Sequence, residues 1–153
     1  MRRTLQFGLL YSVVALLAAI QFVPGGVVNP PSQGEVSAPP EIQDTLRRSC
    51  YDCHSNQTRW PWYTNVAPFS WVVARDIEVG RRQLNFSEWG TYYPGTRRRK
   101  LQWMGRALEQ EVMPPPLYQL IHPASRLSPQ DREQLRRWID LELGSAVASS
   151  EGR

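Results

Sequence analysis

Cysteine and histidine are scarce in this chain of 153 residues, which contains two of each. Two cysteines exclude a small scaffold held together by several disulfides. No segment alternates apolar and polar residues for long enough to predict a strand, so no β-sheet is expected. Because 41% of the residues are hydrophobic and 21% are charged, the chain can form a core, although not a large one.

Aromatic residues supply much of the apolar bulk of the chain. It contains six Trp, six Tyr and four Phe, and also thirteen Pro and ten Gly. The aromatic side chains favour a compact core, whereas the Pro and Gly residues predict many irregular connections. A small, aromatic and loop-rich domain often needs a further stabilising element beside its core.

Residues 1–23 have the pattern of a membrane-targeting segment. Arg2 and Arg3 precede a mostly apolar run from Phe7 to Val23. This run is short for a membrane span and slightly long for the apolar part of a signal peptide. Since no clear cleavage site follows, we expect an uncleaved anchor rather than a removed signal peptide or a buried helix of a cytosolic domain. Arginines on the cytoplasmic side would place the remainder of the chain outside the bacterial inner membrane, in the periplasm.

Three further segments are expected after this one. Residues 24–40 contain five Pro and three Gly without an apolar period, which predicts an extended linker. Residues 41–144 form the folded domain, and residues 145–153 form a disordered tail. The expected architecture is all-α.

The net charge says little about partners. Without Arg2 and Arg3 the formal net charge of +4 becomes +2. Arg81–Arg82 and residues 97–100 form a basic cluster, which is typical of a solvated helix face and, alternatively, of a contact for anionic cofactor groups or an acidic partner. Because an exported domain rarely meets nucleic acid, no nucleic-acid partner is expected.

The first two helices of the domain are predicted from apolar periodicity. One runs from Glu41 to about Tyr51 and leads directly into the cysteines; its apolar residues are Ile42 and Leu46. The second begins with Pro68 in its first turn and continues to about Leu84. Its expected buried face consists of Phe69, Val72, Val73 and Ile77.

The last two helices have clearer boundaries. Thr96 is the expected cap of the third helix, and Pro114 is its expected stop. Its apolar stripe consists of Leu101, Met104, Leu108 and Val112. Ser128, Pro129 and Asp131 have the spacing of a capping box for the fourth helix. The apolar residues of that helix are Leu135, Trp138, Ile139 and Leu143.

The sequence SCYDCHSN, residues 49–56, contains both cysteines and one of the histidines. A disulfide between Cys50 and Cys53 would close too short a loop to stabilise a domain much. A thioredoxin-like redox pair would need a strand-helix context that is missing here. A zinc site could combine these cysteines with His54 and His122, but adjacent Cys53 and His54 point in different directions from most backbones.

The spacing of Cys50, Cys53 and His54 is the signature of covalent haem c attachment. Two thiols on one helical turn can form thioethers with the two vinyl groups of a haem, while the next residue, His54, ligates the iron. This interpretation uses every cysteine of the chain. An export signal agrees with it, because bacteria attach haem c outside the inner membrane.

Three residues are candidates for the sixth iron ligand. Met104 lies in the apolar stripe of the third helix, where core packing explains it. Met113 precedes a run of three prolines that would hold its thioether in a stiff loop. His122 lies nine residues further on. We favour Met113, with His122 or an open position as the alternatives; Met/His ligation raises the iron potential and suits electron transfer.

Several blocks together resemble the haem-binding domain family of small bacterial cytochrome c-like proteins, over about residues 35–144. These blocks are CYDCHSN, WPWY, APFSW, GRRQLNFSEW, MPP before Tyr118 and His122, and LSPQDREQLRRWI. The resemblance implies a cytochrome c-like helical fold with long aromatic loops and a membrane-linked or periplasmic location. It also implies covalent haem c on Cys50 and Cys53, with His54 as proximal and Met113 as probable distal ligand. It does not indicate the redox partner.

Aromatic and basic residues are further candidates for contacts with the haem. Each aromatic residue is also explained by ordinary core packing; the candidates are Trp60, Trp62, Tyr63 and Trp71. Arg81, Arg97 or a Trp ring nitrogen would suit a propionate.

The expected function is single-electron transfer outside the cytoplasmic membrane, by an electron carrier rather than an enzyme. A redox protein in the membrane or the periplasm is the expected partner. The alternative is a haem-based enzyme or a gas or redox sensor, in which the sixth position opens to peroxide, oxygen or nitric oxide.

Overall fold

The computed structural model describes residues 2–23 and 25–151, and the side chains of residues 6–23 and 25–144. Within these ranges the chain is all-helical, without a strand, as predicted. The α-helices are α1 (Arg2–Ala19), α2 (Pro40–Ser49), α3 (Tyr51–His54), α4 (Phe69–Gln83), α5 (Pro94–Glu109), α6 (Pro116–Ile121) and α7 (Pro129–Glu151). Short 3-10 turns cover Ile20–Phe22, Trp62–Asn65, Phe86–Thr91 and Pro123–Ser125.

The chain divides into two compact units. The first unit contains residues 1–28 and 59–79, and the second contains residues 29–58 and 80–153. The second unit therefore carries both cysteines and both histidines.

The core of the second unit is built mainly by α2, α5 and α7. The buried residues of α2 include Ile42 and Leu46, as its periodicity predicts. Tyr51 stacks on Phe86 with ring centroids 5.5 Å apart, which joins the cysteine region to this core. The other buried apolar members are Val36, Trp89, Leu101, Met104, Leu108, Leu127, Leu135, Trp138 and Ile139.

The predicted cap of the last helix is confirmed. Asp131 N–H donates to Ser128 Oγ at 3.1 Å, and Ser128 N–H donates to Asp131 Oδ2 at 2.8 Å. These reciprocal bonds satisfy backbone donors at the start of α7. The helix continues through Glu151, so the prediction of a disordered tail over 145–153 is wrong as far as residue 151. Gly144 does not end α7, because no proline follows it and Ala146 and Ala148 favour a helix; residues 152–153 lie outside the described residues.

Two predicted apolar stripes are only partly buried. Val112 is exposed because α5 ends at Glu109, earlier than the prolines require. Glu111 has a φ of 54°, and Val112 N–H bonds to Ala107 O at 3.2 Å; this left-handed residue closes the end of the helix. On α4, Ile77 is buried, whereas Phe69 and Val72 are exposed.

Much of the segment predicted as a linker packs against the second unit. Val36 is 3% exposed and belongs to the core. Its N–H donates to Phe86 O at 3.0 Å, and Gln33 N–H donates to Ser87 O at 2.8 Å. Gly34 has a φ of 112°, and a Cβ there would lie 3.1 Å from Gly90 Cα. The segment lacks periodicity because its hydrogen bonds go to an irregular 3-10 turn rather than to a helix or sheet.

In the first unit, the end of the apolar N-terminal run is hydrogen-bonded to the residues before α4. Gln21 Nε2 donates to Ala67 O at 3.2 Å, and Ala67 N–H donates to Gln21 Oε1 at 3.0 Å. Trp71 Nε1 donates to Val23 O at 3.4 Å. No helix in the described part of the chain is both long and apolar enough to cross a membrane, so the anchor predicted for residues 1–23 is not supported.

Candidate functional site

The cysteine motif forms a single helical turn, as its spacing predicts. Helix α2 ends before Cys50, and Cys50 is the N-cap of the short helix α3. Cys53 N–H and His54 N–H both donate to Cys50 O, at 3.2 and 2.9 Å. Neither cysteine forms a disulfide, and both are half-buried. Two thiols outside any disulfide and an imidazole thus lie on one turn of backbone.

Cys50 is a poor candidate for the nucleophile of a dithiol redox pair. Burial, with a smaller contribution from Cys53, raises the pKa of the Cys50 thiol to about 12, although Arg48 opposes the shift. The thiolate is the nucleophile in disulfide exchange, so a thiol with a high pKa reacts slowly near neutral pH.

His54 is held by two backbone carbonyls at the end of α4. Its Nδ1 lies 3.0 Å from Gly80 O and 3.1 Å from Leu84 O. Because a carbonyl oxygen only accepts, Nδ1 must carry the proton, and Nε2 keeps the lone pair that a metal needs. Burial lowers the pKa of His54, although the two carbonyls oppose this shift, and a neutral imidazole is the form that ligates iron.

The close approach of α4 to the motif requires a glycine. A Cβ on Gly80 would lie 2.5 Å from Cys53 O and 3.1 Å from Cys53 C. No side chain fits at that distance from backbone atoms. Sequence analysis missed this role; the signal was a glycine inside an otherwise regular helical pattern.

A buried network of polar side chains joins the end of the motif to the turn after α4. Asn85 Nδ2 donates to Asn56 Oδ1 at 2.8 Å, and Asn56 N–H donates to Ser87 Oγ at 3.0 Å. Ser87 N–H in turn donates to Asn85 Oδ1 at 3.1 Å, which caps the 3-10 turn. All three residues are buried. Sequence analysis did not identify them, although each lies in a block that carries the family resemblance.

Arg81 braces the loop that follows His54. Its Nε donates to Ser55 O at 2.8 Å, and its Nη2 donates to Asn29 Oδ1 at 2.7 Å and Thr58 Oγ1 at 3.1 Å. These bonds connect three separate stretches of the second unit. A contact between Arg81 and a propionate stays a prediction.

Two other basic residues of the predicted cluster, Lys100 and Arg97, also donate to backbone carbonyls of the second unit. Lys100 Nζ donates to Gln83 O at 2.5 Å and lies 4.6 Å from the centre of the Tyr92 ring. Arg97 Nη2 donates to Gly90 O at 3.1 Å, whereas its buried Nε has no hydrogen-bond partner among the described residues. A contact between Arg97 and a propionate stays a prediction.

The three candidates for the distal ligand have different surroundings. Met104 lies in the core, as predicted. Met113 is half-buried on the connection between α5 and α6. His122 ends α6, and its ring stacks on Tyr118 with centroids 4.4 Å apart. Tyr118 Oη also donates to Asp52 Oδ2 at 2.6 Å, so the chain after Met113 contacts the cysteine motif itself.

The aromatic residues proposed to line the haem lie in the first unit. Trp60 and Trp62 are exposed, and Tyr63 packs against the edge of Trp62. The indole N–H of Trp71 bonds to Val23 O. Their role as haem contacts stays a prediction.

The donor set of the second unit fits a haem c. Cys50 and Cys53 offer thiols that are not in a disulfide, His54 offers its Nε2, and Met113 offers a thioether after the end of α5. Histidine and methionine are the axial ligands of electron-transferring c-type haems. Within the described residues, no three His, Cys, Asp or Glu side chains gather as a metal-binding cluster.

Comparison with known proteins gives one match. Residues 15–141 match the family model of the haem-binding domain. No curated protein and no solved structure matches the chain. The matched range contains the cysteine motif, the connection with Met113 and His122, and the start of α7.

Proposed function

The chain belongs to the haem-binding domain family, and we propose that it carries one haem c covalently on Cys50 and Cys53. His54 is the proximal iron ligand and Met113 the distal one. The observation that carries the proposal is the geometry of His54: its Nδ1 is fixed on two carbonyls, which leaves Nε2 for iron on the same helical turn as the two cysteines.

The function of this centre is single-electron transfer. The haem, when bound, supplies a one-electron iron couple. The protein supplies a neutral imidazole whose orientation is fixed by Gly80 O and Leu84 O. It also supplies a buried wall, because Tyr51 and Phe86 pack directly behind the motif and exclude water there. A neutral thioether from Met113 would raise the potential of the bound haem.

The protein acts outside the cytoplasmic membrane, where bacteria attach haem c. The apolar N-terminal run behind Arg2 and Arg3 is the export signal. Its partner is a redox protein in the membrane or the periplasm. The exposed arginines Arg98 and Arg99, at the start of α5, favour a partner with an acidic face.

The exported wild-type protein and three variants test this proposal. The exported wild-type protein is expected to show haem staining on a denaturing gel, because thioether bonds survive unfolding. The Cys50→Ala/Cys53→Ala variant should lose the stain. Met113→Ala should keep the stain but lose the weak Met–iron charge-transfer band at the red edge of the oxidised spectrum. Met104→Ala should keep both and instead lower the free energy of unfolding by about 2 to 5 kcal/mol.

The outcomes separate the parts of the proposal. A stain that persists without the cysteines contradicts covalent attachment. A Met–iron band that survives in Met113→Ala, or a spectrum that changes only in His122→Ala, contradicts the distal assignment. If the reduced wild-type protein binds carbon monoxide readily and turns over peroxide, the sixth position is open and the protein is a haem enzyme or sensor rather than a carrier.

A further inference from the structure

One hydrogen bond joins the two sides of the proposed haem site. Tyr118 Oη donates to Asp52 Oδ2 at 2.6 Å, across 66 residues of sequence. Asp52 lies between the two cysteines on α3 and is buried. An O–H···O bond of this length is at the strong end of the range for proteins. It links the motif to α6, which begins three residues after Met113.

Residues 113–122, here termed the distal segment, are braced internally. Gln119 Nε2 donates to Pro114 O, so α6 is bonded back to the proline run. His122 N–H donates to Tyr118 O at 2.8 Å, and the two side-chain rings are stacked with an interplanar angle of 23°. Because these contacts and the prolines stiffen the segment, the position of Tyr118 constrains the position of Met113.

Apolar packing does little to hold α6, although Pro114 before it is buried. The neighbours of Tyr118 on α6 are exposed; they are Leu117, Leu120 and Ile121. Tyr118 itself is half-buried. Its hydrogen bond to Asp52 is therefore a specific attachment and not a by-product of a buried helix face.

We propose that Tyr118 is a positioning residue for the distal ligand: its bond to Asp52 fastens the distal segment to the motif and so keeps Met113 on the iron. This inference rests on the proposed function. A neutral thioether binds ferric iron less strongly than an imidazole does. The equilibrium between Met113 and a competing iron ligand thus depends on the free energy that keeps the distal segment bonded to the motif.

Tyr118→Phe is the most direct test, because it removes one oxygen and keeps the ring that stacks on His122. The oxidised holoprotein is titrated with imidazole, and the loss of the Met–iron band is followed. The variant should bind imidazole about tenfold more tightly than the wild type, since one strong hydrogen bond no longer opposes the release of Met113 from the iron. Its midpoint potential should also fall. Tyr93→Phe is the matched control, because Tyr93 is exposed, and it should behave as the wild type.

A second variant tests the acceptor. Asp52→Asn keeps an oxygen for Tyr118 to bind and should stay near the wild-type imidazole affinity, whereas Asp52→Leu should resemble Tyr118→Phe. An imidazole affinity of Tyr118→Phe within twofold of the wild type would overturn the proposal. So would loss of covalent haem staining in Tyr118→Phe, which would indicate a role in haem attachment. A wild-type protein that lacks the Met–iron band contradicts the proposed function itself, and the inference with it.

Discussion

The chemistry of His54 is decided by atoms that are distant in the sequence. The histidine alone specifies neither tautomer nor orientation. Gly80 O and Leu84 O specify both, because two acceptors at Nδ1 leave Nε2 as the only nitrogen for a metal. That arrangement depends on the absence of a side chain at Gly80, where α4 crosses Cys53.

Gly80→Ala is therefore expected to damage the site. The added Cβ would lie 2.5 Å from Cys53 O, so the backbones of α4 and of the cysteine motif would have to move apart. This displacement should lower the free energy of unfolding by about 1 to 3 kcal/mol. The fraction of chains that stain for haem should fall with it. Chemical denaturation and quantitative gel staining measure the two effects.

Gly105→Ala is the matched control, because Gly105 also lies inside a helix but meets only Ile139 Cγ2, at an ordinary 3.9 Å. That substitution should stabilise the protein by about 0.5 to 1 kcal/mol through helix propensity alone. Equal effects of the two substitutions would show that the contact between α4 and the motif is not tight.

The residues of the motif could be read from the sequence because they are neighbours in the chain. Cys50, Cys53 and His54 share one turn, and their spacing alone indicates their chemistry. Gly80 and Asn85 could not be read in this way. They meet the motif through tertiary contacts across 26 residues or more, and a single sequence contains no signal for such pairs beyond a helical glycine and an asparagine cap.

At the scale of elements, helices with strong periodicity and capping signals were predictable. Leu101, Met104 and Leu108 repeat at helical spacing and are buried on α5. Phe69 and Val72 show a similar spacing at the start of α4 but are exposed. Periodicity identifies an apolar face without identifying what covers it. The 3-10 turns were not predicted, because segments of three to six residues have no period to detect.

The cap of α7 gives a prediction at this scale. Ser128→Ala removes the hydroxyl that accepts from Asp131 N–H and should lower the free energy of unfolding by about 1 kcal/mol at neutral pH. Desolvation raises the pKa of Asp131, but hydrogen bonds from Ser128 and Arg48 outweigh this effect and lower the pKa below its ordinary value of 3.8. A carboxyl group whose pKa is lowered on folding stabilises the folded state at pH values above its ordinary pKa. This contribution is lost as the pH falls through the pKa of the folded state.

The difference between wild type and Ser128→Ala should consequently shrink in acid. Denaturant unfolding at pH 7 and at pH 3 measures it. Ser128→Thr keeps the hydroxyl and serves as the control, with a smaller loss at either pH. A deficit of the same size at both pH values would show that the carboxylate of Asp131 takes no part in the cap.

At the scale of the whole molecule, the segment between the N-terminal run and α2 is part of the fold. The Pro/Gly-rich composition of residues 24–40 predicts a tether, and the absence of an apolar period agrees with that prediction. The structure instead buries Val36 in the core of the second unit and bonds the backbone of Gln33 and Val36 to the turn after α4. That turn also carries Ser87, which bonds to Asn56 just beyond the motif. The segment thus supports the turn that supports the haem motif.

Val36→Ala is expected to destabilise the second unit even though it lies in a sequence that resembles a linker. Val36 is 3% exposed, and deletion of two buried methyl groups should lower the free energy of unfolding by about 2 kcal/mol. Val28→Ala is the matched control, because Val28 is 78% exposed and its truncation should change the free energy by less than about 0.5 kcal/mol. Hydrogen exchange adds an independent measurement, since the amides of Gln33 and Val36 should be protected by their bonds to Ser87 O and Phe86 O. Fast exchange at these two amides, together with equal stabilities of the two variants, would show that the segment is a free tether and that the haem domain begins only at α2.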